Sequence, residues 1–145
     1  MRLLRAMCAL VGGLAVAAPA GAQVNTCPGG QPVRGDPGIR AVRCVGPRAS
    51  CTINIADEHG FRHTFAVEPI VSVVADSTKD AAIRTGDRIV SVGGFLITTV
   101  EGGRRLANLQ EGRPVAILVR RDEKLLEINV TPVRGCGITS LSVRP

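Results

Sequence analysis

The residues that could carry out acid–base, metal or nucleophilic chemistry are few, and they do not form a known catalytic pattern. His59 and His63 are the two histidines, and Asp57 and Glu58 precede them. These four side chains could bind a metal ion, but Gly60 places a turn between the histidines, so we interpret them as turn and edge residues. No serine lies in a Gly-x-Ser-x-Gly setting. We therefore expect a protein that is not an enzyme and that uses no metal or cofactor.

The first 22 residues have the layout of a secretory signal peptide. Two arginines in the first five residues are followed by an apolar run over 6–18 and by Ala-Gly-Ala at 20–22, a small-x-small cleavage site. The apolar run is too short to span a bilayer. We therefore predict cleavage after Ala22 and a periplasmic or secreted protein without a membrane span; the alternative is a retained anchor.

The charge pattern argues against a nucleic-acid partner. The chain has 18 basic and 12 acidic residues and a formal net charge of +6, and its basic residues are scattered along the sequence. Only Phe61, Phe65 and Phe95 could stack on bases. Because the protein is also expected to be exported, nucleic acid is not among its predicted partners.

Cysteine use agrees with export. After the signal peptide the chain keeps four cysteines, an even number typical of disulfides in an oxidising compartment, and none of them belongs to a Cys-x-x-Cys pair. Four cysteines allow three pairings, of which we favour Cys27–Cys44 with Cys51–Cys136. The first bond would hold a Gly/Pro-rich arm, and the second would tie the two ends of the domain together.

Apolar alternation and turn residues predict short strands and two helices from Cys51 onward. Thr98 or Thr99 would cap the longer helix, and Gly93–Gly94 would permit a tight reversal. This order of elements predicts an α+β, mainly β fold, namely a partly open antiparallel barrel or sandwich capped by one short and one longer helix. The predicted strands are 51–55, 61–67, 70–74, 88–92, 95–98, 114–121 and 125–133, and the predicted helices are 77–84 and 100–110.

The same signals divide the chain into four parts. Residues 1–22 are the signal peptide, and residues 23–50 form an irregular Gly/Pro-rich arm stapled by disulfides. Residues 51–135 form the folded domain, and residues 136–145 form a C-terminal tail.

The stretch Ile83–Gly94, IRTGDRIVSVGG, contains a Gly-Asp-x-Ile-x-x-Val core between the two predicted helices. With the Gly-x-x-Val of 112–115 and the Arg-x-x-x-Leu of 121–125, it resembles a PDZ domain. The resemblance covers about residues 57–133. It is closest to the bacterial type found in periplasmic serine proteases of the high-temperature-requirement family and in tail-specific proteases. It implies a PDZ-like fold of about five to seven short strands with two capping helices.

The resemblance also implies a function, since PDZ domains bind extended peptides, usually C-termini, by adding a strand to a sheet edge. The peptide would lie between the strand Phe61–Phe65 and the longer helix, with its carboxylate held by the loop 58–61. Asp57 and Glu58 would repel a carboxylate there, and Gly102 has no polar side chain that could form a hydrogen bond with a ligand. The implied peptide-binding residues are His59, Gly60, Phe61, Arg62, His63, Thr64, Phe65, Gly102, Leu106 and Leu109.

The sequence thus favours an exported, non-catalytic module that binds a protein C-terminus or an extended segment, as adaptor or sensor for an envelope or secreted partner. Two alternatives stay open. The domain could be a disulfide-stapled structural piece whose groove is blocked, for instance by the 23–50 arm, or it could be an accessory subunit of an envelope protease that contacts the protease or its substrate.

Overall fold

The computed structural model describes residues 26–47, 49, 51, 64–75 and 83–145. Within these residues the chain has the predicted α+β fold, which is mainly β, contains one α-helix and includes no closed barrel. The strands are β1 (Thr26–Cys27), β2 (Gln31–Pro32), β3 (Arg34–Asp36), β4 (Ile39–Val45), β5 (Ile70–Val74), β6 (Arg88–Val92), β7 (Phe95–Leu96), β8 (Val115–Arg121), β9 (Lys124–Val130), β10 (Val133–Gly135) and β11 (Ser140–Arg144), and the helix is α1 (Val100–Ala107).

One sheet organises the fold. Its strands follow the order β11-β4-β5-β6-β8-β9, and β7 pairs with β6 beside this path. The pairs in this sheet are antiparallel except β11 with β4, which are parallel. Two small antiparallel pairs, β1 with β2 and β3 with β10, flank it. The core lies where α1 covers β6 and is filled by aliphatic side chains from β4, β5, β6 and β8.

The Gly-Asp motif and the elements after it form where the sequence predicts them. The predicted strand 88–92 is β6, and Gly93 and Gly94 make the following reversal with φ of 58° and 83°. Positive φ suits glycine because it has no Cβ. Thr99 caps α1 through its side chain, which accepts a hydrogen bond from the Gly102 amide. The helix ends at Ala107, three residues before the predicted end.

The prediction of an irregular arm is wrong for the described part of residues 23–50. This part contains β1 to β4, and β4 is an inner strand of the large sheet that pairs with β5. Register irregularities between Ile39 and Ala41 and between Ala41 and Val42 form a bulge, and Ile39, Val42 and Cys44 are in the core. Because the apolar residues do not strictly alternate across this bulge, the period-two pattern of a strand is hidden in the sequence. The predicted C-terminal tail likewise contains a strand, β11.

The favoured disulfide pairing is also wrong, although all four predicted cysteines are bonded. Cys27 pairs with Cys136, and Cys44 pairs with Cys51. The disulfide that closes the long loop therefore begins at Cys27 and not at Cys51. Cys44 lies inside β4 and is bonded to Cys51, which is only seven residues further along the chain.

Several predictions lie outside the described residues. These are the signal peptide, most of the hairpin predicted over 51–67, and the short helix predicted over 77–84 except for its last two residues. Among the described residues, no helix is long and apolar enough to cross a membrane.

Candidate functional site

The buried Asp87 of the Gly-Asp motif has a structural role. Its side chain is 2% exposed and accepts two hydrogen bonds of 2.7 Å from the Arg121 guanidinium and one of 2.8 Å from the Arg84 amide. Burial alone would raise the pKa of Asp87, but the hydrogen bonds and positive charges of Arg121 and Arg84 outweigh it, so that the pKa lies below its ordinary value. Asp87 is therefore ionised, and its hydrogen bonds connect the turn before β6 to the end of β8.

Helix α1 lies very close to β7 at Gly102. A Cβ on Gly102 would overlap the carbonyl oxygen of Leu96 and come close to Ile97, so only glycine fits at this position. Thr99 strengthens the same contact, since its hydroxyl donates a 2.6 Å hydrogen bond to the Leu96 carbonyl. The sequence suggests a close approach at this glycine, and the structure shows it. Gly102 therefore faces β7 and does not face an open groove.

Another side of α1 borders a small cavity. Phe65, Leu106 and Ile138 line a cavity of about 20 Å³, which leaves room for about one water molecule. Phe65 is fully buried, and Ile138 is partly buried against the core. Ile138 belongs to the C-terminal tail, so the chain's own tail occupies this side of the helix.

The tail then continues along the outer edge of β4 as β11. The two strands pair in parallel from Ser140 with Ala41 to Arg144 with Val45. At the two ends of this ladder, the Thr139 amide donates to the Arg40 carbonyl at 3.0 Å and the Gly46 amide donates to the Arg144 carbonyl at 3.1 Å. We call this outer side of β4, together with the surface beside Phe65 and Leu106, the β4 edge.

One disulfide lies before the tail strand, and the other lies beside the middle of it. Cys136, where the tail begins, is bonded to Cys27 of β1. Cys51, bonded to Cys44 of β4, has its sulfur 3.3 Å from the Ser142 carbonyl oxygen of β11. One disulfide thus anchors the start of the tail, and the other lies beside its strand.

The predicted peptide-binding residues separate into three groups. His59, Gly60, Phe61, Arg62 and His63 lie outside the described residues. Thr64 and Phe65 are buried and are not in a strand, and both edges of β5 are paired, to β4 on one side and to β6 on the other. Of the three helix-face residues, Leu106 lines the same small cavity as Phe65, and Gly102 faces β7.

The third helix-face residue, Leu109, lines a different concavity of about 450 Å³ between the end of α1 and the start of β8. Arg104, Arg105 and Arg113 give this concavity a basic rim. Arg104 and Arg105 both pair with Glu101, at 3.5 Å and 2.9 Å. Leu106 and Leu109 therefore line different cavities.

The sequence contains a signal for the β4–β11 pair in the form of a short repeated segment. Pro-Val-Arg-Gly occurs at 32–35 and again at 132–135, and each copy is followed closely by Gly-Ile, at 38–39 and 137–138. The two Pro-Val-Arg-Gly copies meet in the β3–β10 pair. Beyond the Gly-Ile copies, the β4–β11 register pairs equivalent positions, including Val42 with Leu141. Two related segments of the chain therefore lie side by side.

Nothing in the described part of the chain brings together three or more side chains of the kinds that bind metal ions. The arrangement that the site does offer is a sheet edge that holds an extended backbone next to a helix, with apolar side chains of that backbone turned toward the core.

Comparisons with known proteins support this fold. The chain matches no model of a known protein family. It is 29% identical over 69 residues to a predicted zinc metalloprotease of Agrobacterium fabrum, and this alignment covers 46% of the chain and 18% of that protein.

Two solved structures of the HtrA-type protease AlgW with a decapeptide, one of them the S227A variant, resemble the chain with TM-scores of 0.51 for the variant and 0.50. The identities are 17% and 16%, and the matches cover 74% and 72% of this chain. They cover 31% and 30% of those structures, so the chain spans less than a third of the proteases it matches. HtrA-type proteases contain PDZ domains, and the α+β fold is consistent with a PDZ-like one.

Proposed function

We propose that this chain is an exported, non-catalytic PDZ-like module that binds an extended peptide or a protein C-terminus by strand addition at the β4 edge. In the unbound protein the chain's own strand β11 occupies that edge. The partner would be an envelope or secreted protein, with the module acting as adaptor, sensor or accessory subunit of a protease. The observation that carries the proposal is the pairing of β11 with β4, because this pairing is itself a strand addition.

The β4 edge is suited to accept a backbone strand. A strand added to a sheet gains affinity from main-chain hydrogen bonds, while pockets for alternate side chains give specificity. Here the ladder from Ser140 to Arg144 supplies the hydrogen bonds, and Ile138 and Leu141 supply the side chains that pack against the core. A foreign strand with similar side chains could make the same contacts.

Strand β11 is also held weakly enough to be displaced. Most of its residues are exposed, including Val143 at 54%, and within β11 only Leu141 packs partly against the core. A net hydrogen bond contributes only about 0.5–1.5 kcal/mol, and elements with few buried apolar contacts open most easily. The inner strands β6 and β8, by contrast, contribute fully buried side chains to the core.

The comparisons support a role next to a protease. AlgW is an HtrA-type protease whose structure holds a decapeptide, and the relative from Agrobacterium fabrum is a predicted metalloprotease. This chain spans less than a third of each of these proteins. The paired cysteines support export to an oxidising compartment. The carboxylate loop predicted at 58–61 lies outside the described residues and stays a prediction.

A second function is supported by the same strand. If β11 never leaves β4, the groove is permanently closed, and the domain is a disulfide-stapled structural piece. The two functions differ in whether the β4 edge can exchange its occupant.

A substitution that loosens β11 in the full-length exported chain separates them. Leu141→Asp removes the side chain that packs β11 against the core and places a charge there, so β11 should leave the edge more often. A fluorescent peptide with the sequence of residues 137–145 is titrated into the wild type and the variant, and anisotropy is recorded. We expect the variant to bind the peptide about tenfold more tightly, because burial of one leucine corresponds to roughly that factor.

Val143→Asp is the matched control, since it adds the same charge to the same strand at an exposed position. We expect its affinity for the peptide to equal that of the wild type. Circular dichroism checks that both variants stay folded. A folded Leu141→Asp protein that binds neither this peptide nor a library of C-terminal peptides would contradict peptide binding and favour the structural alternative.

A further inference from the structure

The tail of the chain shows which kind of segment fits the β4 edge. Its aliphatic side chains differ in how they meet the protein: Ile138 and Leu141 pack partly against the core, whereas Val143 is mainly exposed. Ile138 also reaches the cavity beside Phe65 and Leu106. The edge therefore receives two aliphatic side chains three positions apart.

Strand β4 has the same spacing, since its Ile39 and Val42 are the equivalents of Ile138 and Leu141 in the related segments and are almost completely buried. In the parallel register Leu141 lies directly beside Val42. Paired residues of neighbouring strands point to the same face of a sheet, so Leu141 extends the apolar face to which Val42 belongs. Ile138 precedes the strand and packs against the core from there, so a segment with another spacing would not place both side chains as the tail does.

The direction of β11 gives a second piece of information. The part of the tail that lies beside α1 is the run Cys136–Ile138, which lines the small cavity together with Leu106 and Ala107. This run is the middle of a chain and not its end, because it continues backward into β10 and forward into β11. The space next to the helix thus admits a chain that passes through, and a terminal carboxylate is not required there.

We infer that the β4 edge recognises internal segments of a protein that run parallel to β4 and carry a Gly-aliphatic-x-x-aliphatic pattern, as in residues 137–141. The recognising residues are Phe65 and Leu106 for the first aliphatic side chain and Val42 for the second. This inference rests on the proposed function, and it names the ligand as an internal segment where a free C-terminus is the usual partner of a PDZ domain.

The test uses the full-length Leu141→Asp protein, whose own β11 is loosened, and a series of fluorescent peptides based on residues 137–145. One pair differs only in a free or amidated C-terminus. Three further peptides carry Asp in place of the isoleucine, the leucine or the valine. Anisotropy gives the dissociation constant of each.

We expect the free and amidated peptides to bind within about twofold of each other, and we expect Asp at the isoleucine or the leucine to weaken binding about tenfold or more. Asp at the valine should change affinity by less than about threefold, because this position is exposed. Loss of binding on amidation, or equal affinity of the leucine and valine variants, would overturn the inference while strand addition itself stands. Failure of every peptide to bind would instead overturn the proposed function.

Discussion

The region around the Gly-Asp motif and the β4 edge are built in different ways. In the motif region, the buried carboxylate of Asp87 is satisfied by Arg121 and by a backbone amide, and Gly102 allows α1 to touch β7. At the β4 edge, the outer strand β11 is mostly exposed and depends on backbone hydrogen bonds and a few aliphatic contacts. The first region is fixed by contacts that few other residues could make, and the second by contacts that many extended segments could make.

This difference indicates where in the domain a ligand could bind. A buried ion pair and a glycine contact hold one geometry only, because any change leaves a charge unpaired or forces backbones apart. A ladder of backbone hydrogen bonds is nearly blind to sequence, so its occupant can be exchanged. In the proposed function, the motif region serves as the frame and the β4 edge as the binding surface.

The largest expected effect concerns the two disulfides, which hold the frame and the tail together. In the chain-entropy model, removing Cys27–Cys136, with its sequence separation of 109, should lower the free energy of unfolding by about 5 kcal/mol. Removing Cys44–Cys51, with a separation of 7, should cost about 2.5 kcal/mol, since the closed loop is much shorter. Urea denaturation of the two double-Ala variants measures both losses, and equal losses would contradict this account of the tail's anchor.

The next effect tests the frame through its buried ion pair. Asp87→Asn should lower the free energy of unfolding by about 3 kcal/mol, because it leaves the partly buried Arg121 without its counter-charge. Glu68→Gln is the matched control, since it breaks the more exposed pair with Arg120 and should change stability little. Thermal and urea denaturation measure both, and similar small losses in the two variants would show that Asp87 does not hold the frame.

A smaller effect is expected at the contact between α1 and β7. Gly102→Ala should destabilise the protein by about 1–3 kcal/mol, because the added methyl group overlaps the Leu96 carbonyl and outweighs the gain in helix propensity. Arg104→Ala, on the exposed face of the same helix, should change stability by less than about 0.5 kcal/mol. Stabilisation by Gly102→Ala, measured by urea denaturation, would show that the close approach does not exist.

The smallest effect is a dependence of stability on acid pH. The pKa of Asp87 is lower in the folded protein than its ordinary value, so the unfolded chain takes up this proton first as the pH falls. The stabilisation from Asp87 should be complete above about pH 4 and should be lost as the pH falls below it toward the lowered pKa. Comparing the wild type with Asp87→Asn by denaturation between neutral and strongly acid pH isolates the contribution of the Asp87 carboxylate to the free energy of unfolding. Parallel curves for the two proteins would contradict it.

The frame was predictable from sequence because local residues decide it. The Gly-Asp turn, β6, the Gly93–Gly94 reversal and the Thr99 cap each depend on neighbours close in the chain, and the structure shows each of them. Strand β4 was missed because a bulge at Ala41 breaks its alternation, and the disulfide pairing because four cysteines are compatible with three connectivities.

The proposed binding surface was predictable only in part. Phe65 and Leu106 are both among the predicted peptide-binding residues, and the structure places both at one small cavity. The occupant of the edge was not expected, because β11 has only five residues and pairs with a strand far away in sequence. The available signal for this pairing is the repetition of Pro-Val-Arg-Gly and Gly-Ile near the two ends of the chain. This signal becomes visible only when the two distant segments are aligned with each other.

The most direct test of the central claim follows the amides of β4 and β11 while a peptide binds. Hydrogen exchange of the full-length protein is measured by mass spectrometry with and without a saturating peptide of residues 137–145, labelled with heavy isotopes so that its fragments differ in mass. Exchange of a foreign strand for β11 predicts that the amides of 140–144 lose protection while those of β4 keep it. Unchanged protection of 140–144 with the peptide bound would contradict the claim.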